Sequence, residues 1–180
     1  MRLLVPLDAG SDRLFNITNL ILDGNIFRPV TYPKLASLLS RGLMLTNLSL
    51  NRCKLGNEGL ALTFDAIQML KKLRKVEYAN NNIFDAGIAK ICPVFGKNQK
   101  SELSTIKFNT NEVTNEGLFA ILKAIEKKDN AVSELSFTQN QISGEGSSFL
   151  CNWLKKQRTR NVQHNMNLVS CDLSMNKVMH

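Results

Sequence analysis

Apolar residues recur along the chain in one nine-residue frame: apolar, two variable, apolar, one variable, apolar, two variable, then Asn or Cys. The frame reads Ile17-x-x-Leu20-x-Leu22-x-x-Asn25, then Leu45-x-x-Leu48-x-Leu50-x-x-Cys53 and Leu73-x-x-Val76-x-Tyr78-x-x-Asn81. It continues as Leu103-x-x-Ile106-x-Phe108-x-x-Asn111, Val132-x-x-Leu135-x-Phe137-x-x-Asn140 and Leu168-x-x-Cys171-x-Leu173-x-x-Asn176. Successive copies start 28, 28, 30, 29 and 36 residues apart. Two residues beyond each Asn or Cys stands another apolar residue: Phe27, Leu55, Ile83, Val113, Ile142 and Val178. Alternating apolar positions predict a short strand with one buried face. The Asn carries both donors and an acceptor, which suits it to backbone groups where the chain leaves the strand.

The second half of each copy has the other period. Gly59, Gly87, Gly117 and Gly146 follow the Asn or Cys position by six residues. Past these glycines run three apolar columns: Thr63, Ile91, Ile121 and Leu150; Phe64, Cys92, Leu122 and Cys151; Ile67, Phe95, Ile125 and Leu154. Spacings of three and four residues predict one buried helical face. Cys92 and Cys151 are therefore expected in the core, and Cys53 at the Asn position. One strand and one helix cannot bury their apolar faces alone, so stacked copies must share a core.

These motifs resemble the leucine-rich repeat family in its ribonuclease-inhibitor-like class, over about residues 14 to 178. The resemblance implies an α/β fold, a right-handed βα solenoid or horseshoe with parallel strands on the concave face and helices on the convex face. Residues 1–13 then form an N-terminal segment or the remnant of a preceding repeat, and 14–180 the repeat domain, with five repeats and a truncated sixth. It also implies a recognition role: a protein-binding scaffold or assembly subunit. In the first copy Thr31 replaces the glycine, and Pro29 and Pro33 constrain the helix start. The fifth copy is longer around Asn152 to Asn167, and the sixth ends at His180 before any helix. A solenoid shields its last apolar face with a cap, so we expect a fragment of a longer chain or an end that packs on a partner.

Composition narrows the classes. With 43% hydrophobic residues the chain is not disordered, and no stretch approaches the ~20 apolar residues of a membrane helix. The opening apolar run stops at Pro6, short of a signal core, which predicts an intracellular, cytoplasmic protein. Cys53, Cys92, Cys151 and Cys171 contain no C-x-x-C pair, and His164 and His180 are the only histidines, so neither a zinc framework nor a disulfide scaffold is expected. No phosphate loop or nucleophile elbow is present, so neither cofactor nor enzymatic activity is expected.

Two candidate binding surfaces remain. The exposed strand positions give polar columns on the concave face: Ile21, Ser49, Glu77, Lys107, Ser136 and Asp172; Asp23, Asn51, Ala79, Asn109, Thr138 and Ser174; Gly24, Arg52, Asn80, Thr110, Gln139 and Met175. Arg52, Glu77, Asn80, Lys107 and Asn109 are the central candidates, because charges and amides pair directionally. The second surface is a basic rim where helices end and strands begin: Lys71, Lys72, Arg74 and Lys75, Lys97 and Lys100, Lys127 and Lys128, then Lys155, Lys156 and Arg158. With a net charge of +8 such a rim suits acidic protein or nucleic acid. Cations also favour helix C-termini and acids N-termini, where Glu58, Asp85, Glu116 and Glu145 stand, and this plainer account is preferred. The alternatives to a protein-binding scaffold are thus a nucleic-acid-associated basic repeat protein and a Ran-type GTPase activator.

Overall fold

A computed structural model describes residues 16–42, 44–95, 102–126, 132–160 (side chains through 156) and 168–176. Along these runs the chain alternates strand and helix. The strands are β1 (Asn19–Ile21), β2 (Asn47–Ser49), β3 (Lys75–Glu77), β4 (Thr105–Lys107), β5 (Glu134–Ser136) and β6 (Ser170–Asp172). Between them lie α1 (Tyr32–Ser40), α2 (Gly56–Ile67), α3 (Asp85–Ile91), α4 (Asn115–Glu126) and α5 (Gly144–Arg160). Pro29 to Thr31 form a single 3-10 turn that leads into α1, with the prolines at the two helix starts. Pro33 fits there because a first-turn N–H has no helical partner to lose.

The strands pair in chain order as one parallel sheet. Its register stacks Leu20, Leu48, Val76, Ile106, Leu135 and Cys171 in a single column. Each helix packs on the next in sequence. Paired strands sit about 4.8 Å apart, whereas packed helices need about 8–10 Å. The stack therefore bends with the sheet inside, which makes the strand face concave. The core lies between the two layers. Tyr78, Phe108 and Phe137 stack beneath β3 to β5 with ring centroids 5.9 and 5.4 Å apart, and Phe64 meets Phe95 at 5.0 Å on the helix side.

The Asn column ties copy to copy. Asn111 Oδ1 accepts the backbone N–H of Asn81 and Ile83, and its Nδ2 donates to the carbonyls of Tyr78, Phe108 and Asn109. Asn81, Asn140 and Asn176 bridge in the same way. Cys53 occupies this position in the second copy, buried, with Sγ 3.2 Å from the Leu22 carbonyl. Burial pushes its thiol up to about 11.

A second column of bridges runs along the helix starts. Asn57 Oδ1 accepts the Phe84 N–H, Asp85 Oδ1 accepts those of Thr114 and Gly117, and Asn115 Oδ1 accepts that of Ser143. α2, α3 and α4 thus each bond the residue that opens the following helix, and Asp85 also satisfies a first-turn N–H of α4. The glycines make room for these side chains. A Cβ on Gly87 would stand 2.5 Å from Asn57 Oδ1, and one on Gly117 2.5 Å from Asp85 Oδ1.

The helical columns hold through α4, except that Cys92 is half-buried at the core's edge, and they change in α5. Leu150 is buried, but Cys151 and Leu154 are exposed, contrary to the core position expected for Cys151. Among the described residues no helix packs on that side of α5. Trp153 is the buried anchor instead, and its Nε1 donates to Glu126 Oε2 at 3.2 Å.

Candidate functional site

Two strand columns face the inner side, separated by the buried apolar one. The first, absent from the columns read in the sequence, is Asn19, Asn47, Lys75, Thr105, Glu134 and Ser170. The second is the expected column of Ile21, Ser49, Glu77, Lys107, Ser136 and Asp172, although Ser136 is buried rather than exposed. Lys75, grouped in sequence with the rim, stands within β3 on this face. Its Nζ lies 2.8 Å from Glu77 Oε1, and Lys107 Nζ lies 3.3 Å from Glu134 Oε1 on the adjacent strand. Opposite charges therefore alternate across β3, β4 and β5.

Glu77 is the best-connected of these groups. Asn51 Nδ2 donates to its Oε2 at 3.2 Å, and Ser49 Oγ lies 3.4 Å away. Partial burial pushes the Glu77 carboxyl up, but hydrogen bonds from Lys75 and Asn51 and the charges of Lys75 and Lys107 outweigh it. The net effect holds it below the usual glutamate range. Asp172 is also held low, chiefly by the Ser174 backbone N–H, with Thr138 and Lys107 assisting.

The position after the strands is structural as well as exposed. Asp23 Oδ1 accepts the Asn51 N–H, Asn51 Oδ1 that of Ala79, and Asn109 Oδ1 that of Thr138. Asn109 Oδ1 also accepts the Ser136 hydroxyl at 2.6 Å. This candidate's oxygen is thus engaged in joining two copies. Arg52 and Asn80 sit one residue further on, at the turn, and both have positive φ (57° and 54°). Gly24, Thr110, Gln139 and Met175 share that conformation, so the whole column is a left-handed turn position rather than strand surface.

On the rim, Lys71 and Lys72 are exposed, and Arg74 pairs with Glu102 at 3.0 Å. Lys72 Nζ lies 3.3 Å from Met44 Sδ. Lys155 and Lys156 are exposed on α5. Lys97, Lys100, Lys127 and Lys128, the side chain of Arg158, and His164 lie outside the described residues. Among the described residues no group of three His, Cys, Asp or Glu side chains is placed to hold a metal ion. No described helix is long and apolar enough to cross a membrane.

A family model described as Leucine Rich repeat matches residues 43–62, the second strand with the start of its helix. The pig (Sus scrofa) ribonuclease inhibitor is 27% identical over 121 residues, which cover 64% of this chain and 26% of that protein. The chain is thus similar in sequence to leucine-rich repeat proteins of the ribonuclease-inhibitor-like class. Human (Homo sapiens) NACHT, LRR and PYD domains-containing protein 13 is 25% identical over 145 residues, 81% of this chain and 13% of that protein. The repeat protein thus spans about a quarter of the first relative and about an eighth of the second. Among solved structures it is similar to leiomodin-1 actin-binding site 2, with a TM-score of 0.66, 18% identity and coverage of 81% of this chain and 80% of that one. At that identity the likeness is one of fold.

Proposed function

We propose that this leucine-rich repeat protein is a protein–protein interaction scaffold or assembly subunit that holds its partner against the concave sheet. The observation that carries this reading is the charged lattice of Lys75, Glu77, Lys107 and Glu134, fixed by ion pairs on β3 to β5, each of which is paired with a strand on both sides. Side chains already held in place lose less entropy when a partner engages them. Its relatives point the same way: one is an inhibitor of ribonuclease, and one structural neighbour is an actin-binding site. The reading involves no catalytic step and no cofactor. Four free cysteines fit an intracellular, cytoplasmic setting.

The test is affinity capture from the native cell with two baits, the unaltered chain and the double variant Glu77→Lys/Lys107→Glu, which keeps the net charge. The expected outcome is a protein retained by the first bait and lost from the second. Equal retention by both removes the concave face from the account.

The rim supports a second reading, because Lys71 and Lys72 are exposed with no carboxylate within 4 Å among the described residues. A nucleic-acid-associated protein would show RNA binding that falls steeply with salt. Helix chemistry explains the same lysines without a ligand. No described residue favours the GTPase-activating alternative over binding.

A further inference from the structure

The concave face is not uniform, and its β1–β3 half has a chemistry of its own. An open cleft of about 390 Å³ lies there, lined by Asn19, Ile21, Asp23, Asn47, Lys75 and Glu77 among others. Ile21 is 72% exposed, although every other residue in its column is polar: Ser49, Glu77, Lys107, Ser136 and Asp172. Two residues on, Asp23 accepts the Ser49 hydroxyl at 2.6 Å and the Asn51 N–H at 2.9 Å on Oδ1, and the Asn51 amide at 3.2 Å on Oδ2. All three donors are neutral, and among the described residues no Lys or Arg nitrogen lies within 4 Å of Asp23. A carboxylate has about four acceptor sites, so one on Oδ2 stays open while the group is held in position. Glu77, by contrast, already has Lys75 at 2.8 Å.

We propose that this half of the face receives an extended segment of a partner protein that carries one Lys or Arg and, two positions away, an aliphatic or aromatic residue. The cation pairs with Asp23 and the apolar side chain covers Ile21. The spacing follows the lining: Ile21 ends β1 and Asp23 stands two residues on, in the turn that follows, and alternate residues of an extended segment lie about 6.6 Å apart on one side. The charge balance favours the same chemistry. On the concave face Asp23, Glu77, Glu134 and Asp172 outnumber Lys75 and Lys107, although the chain as a whole carries +8. A single cation suits this setting better than a basic run. Asp23 offers one open acceptor site, and the neighbouring Glu77 is already paired with Lys75. The inference rests on the concave-face reading and names the chemistry of its partner.

The probe is a random 12-residue peptide library displayed on phage and panned against the whole chain. Selected peptides are then synthesised and their affinities measured by fluorescence anisotropy. The expected peptides carry Lys or Arg two positions from Leu, Ile, Val or Phe. Their binding is expected to weaken at least tenfold with Asp23→Asn and with Ile21→Ser, and to stay within twofold with Asp172→Asn. Asp23→Asn keeps the oxygen that accepts the Asn51 N–H, and an unchanged melting temperature shows that the variant is folded. Ile21→Ser alters only an exposed side chain. Peptides rich in Asp and Glu, or no enrichment at all, overturn the proposal. So do peptides indifferent to both substitutions but released by Glu77→Lys/Lys107→Glu, a result that leaves the concave-face reading standing. Binding indifferent to all of these substitutions removes both.

Discussion

Asn111 makes five hydrogen bonds from one buried side chain, to backbone groups of its own copy and the one before. Truncation strips these groups of partners where water cannot replace them, so Asn111→Ala is expected to cost about 3 kcal/mol or more in chemical denaturation. Cys53 gives only sulfur contacts at the equivalent place, and Cys53→Ala should cost about half as much. A smaller loss at Asn111 than at Cys53 would contradict the ladder. Gly87 poses a sharper choice between effects. Helix propensity favours alanine there by about 1 kcal/mol. The added Cβ, however, meets Asn57 Oδ1 at 2.5 Å and displaces the side chain that accepts the Phe84 N–H where α3 begins. Loss of that inter-copy bond and the local shift outweigh propensity, so Gly87→Ala should lower stability by about 1–2 kcal/mol, and a rise in melting temperature would show that the Asn57 bridge contributes little.

Strands and helices differ in how far the sequence reveals them. The buried columns were legible because burial imposes a period, and the Asn position because it recurs at a fixed offset. The bridges at Asn57, Asp85 and Asn115 carried a signal too, two residues before each glycine, but Asp85 read as one more acid at a helix start. The role of Arg52 and Asn80 was hidden because an in–out pattern gives no φ; Gly24 and Asn80, residues that tolerate the left-handed region, were the only hint. Lys75 was placed on the rim because a run of four cations spans the corner and the first strand residue. Cys151 missed its expected burial because a column position is covered only when another helix lies beyond it. This exposure is measurable: in the native state Cys151 should react rapidly with a thiol reagent while Cys53 stays protected until unfolding. Protection of Cys151 would mean that the outer side of α5 is covered in solution. Among the strand residues, Glu77 has a carboxyl held low in the folded state, so its ionised form stabilises β3 at pH above the ordinary glutamate value of 4.5. That contribution is lost as pH falls through the lowered folded value. The fall in melting temperature between about pH 5 and pH 3 should therefore be shallower in Glu77→Gln than in the unaltered chain.

Among the described residues every copy is joined to its neighbours by strand pairing, and the central copies also by the Asn column and the helix-start bridges, so the concave face is a continuous array rather than a set of independent loops. Its polar groups are largely satisfied by one another before any partner arrives. A partner that binds here gains from orientation and from the few open valences, and charge reversal should be far more damaging than neutral truncation. The rim lysines, by contrast, stand in solvent where single charges contribute little. The most direct measurement is the dissociation constant of the captured partner for three proteins: the unaltered chain, Glu77→Lys/Lys107→Glu, and Lys71→Gln/Lys72→Gln/Lys155→Gln. A concave binding surface predicts at least tenfold weaker binding for the first variant and a change within twofold for the second; the reverse order would move the site to the rim and contradict the account.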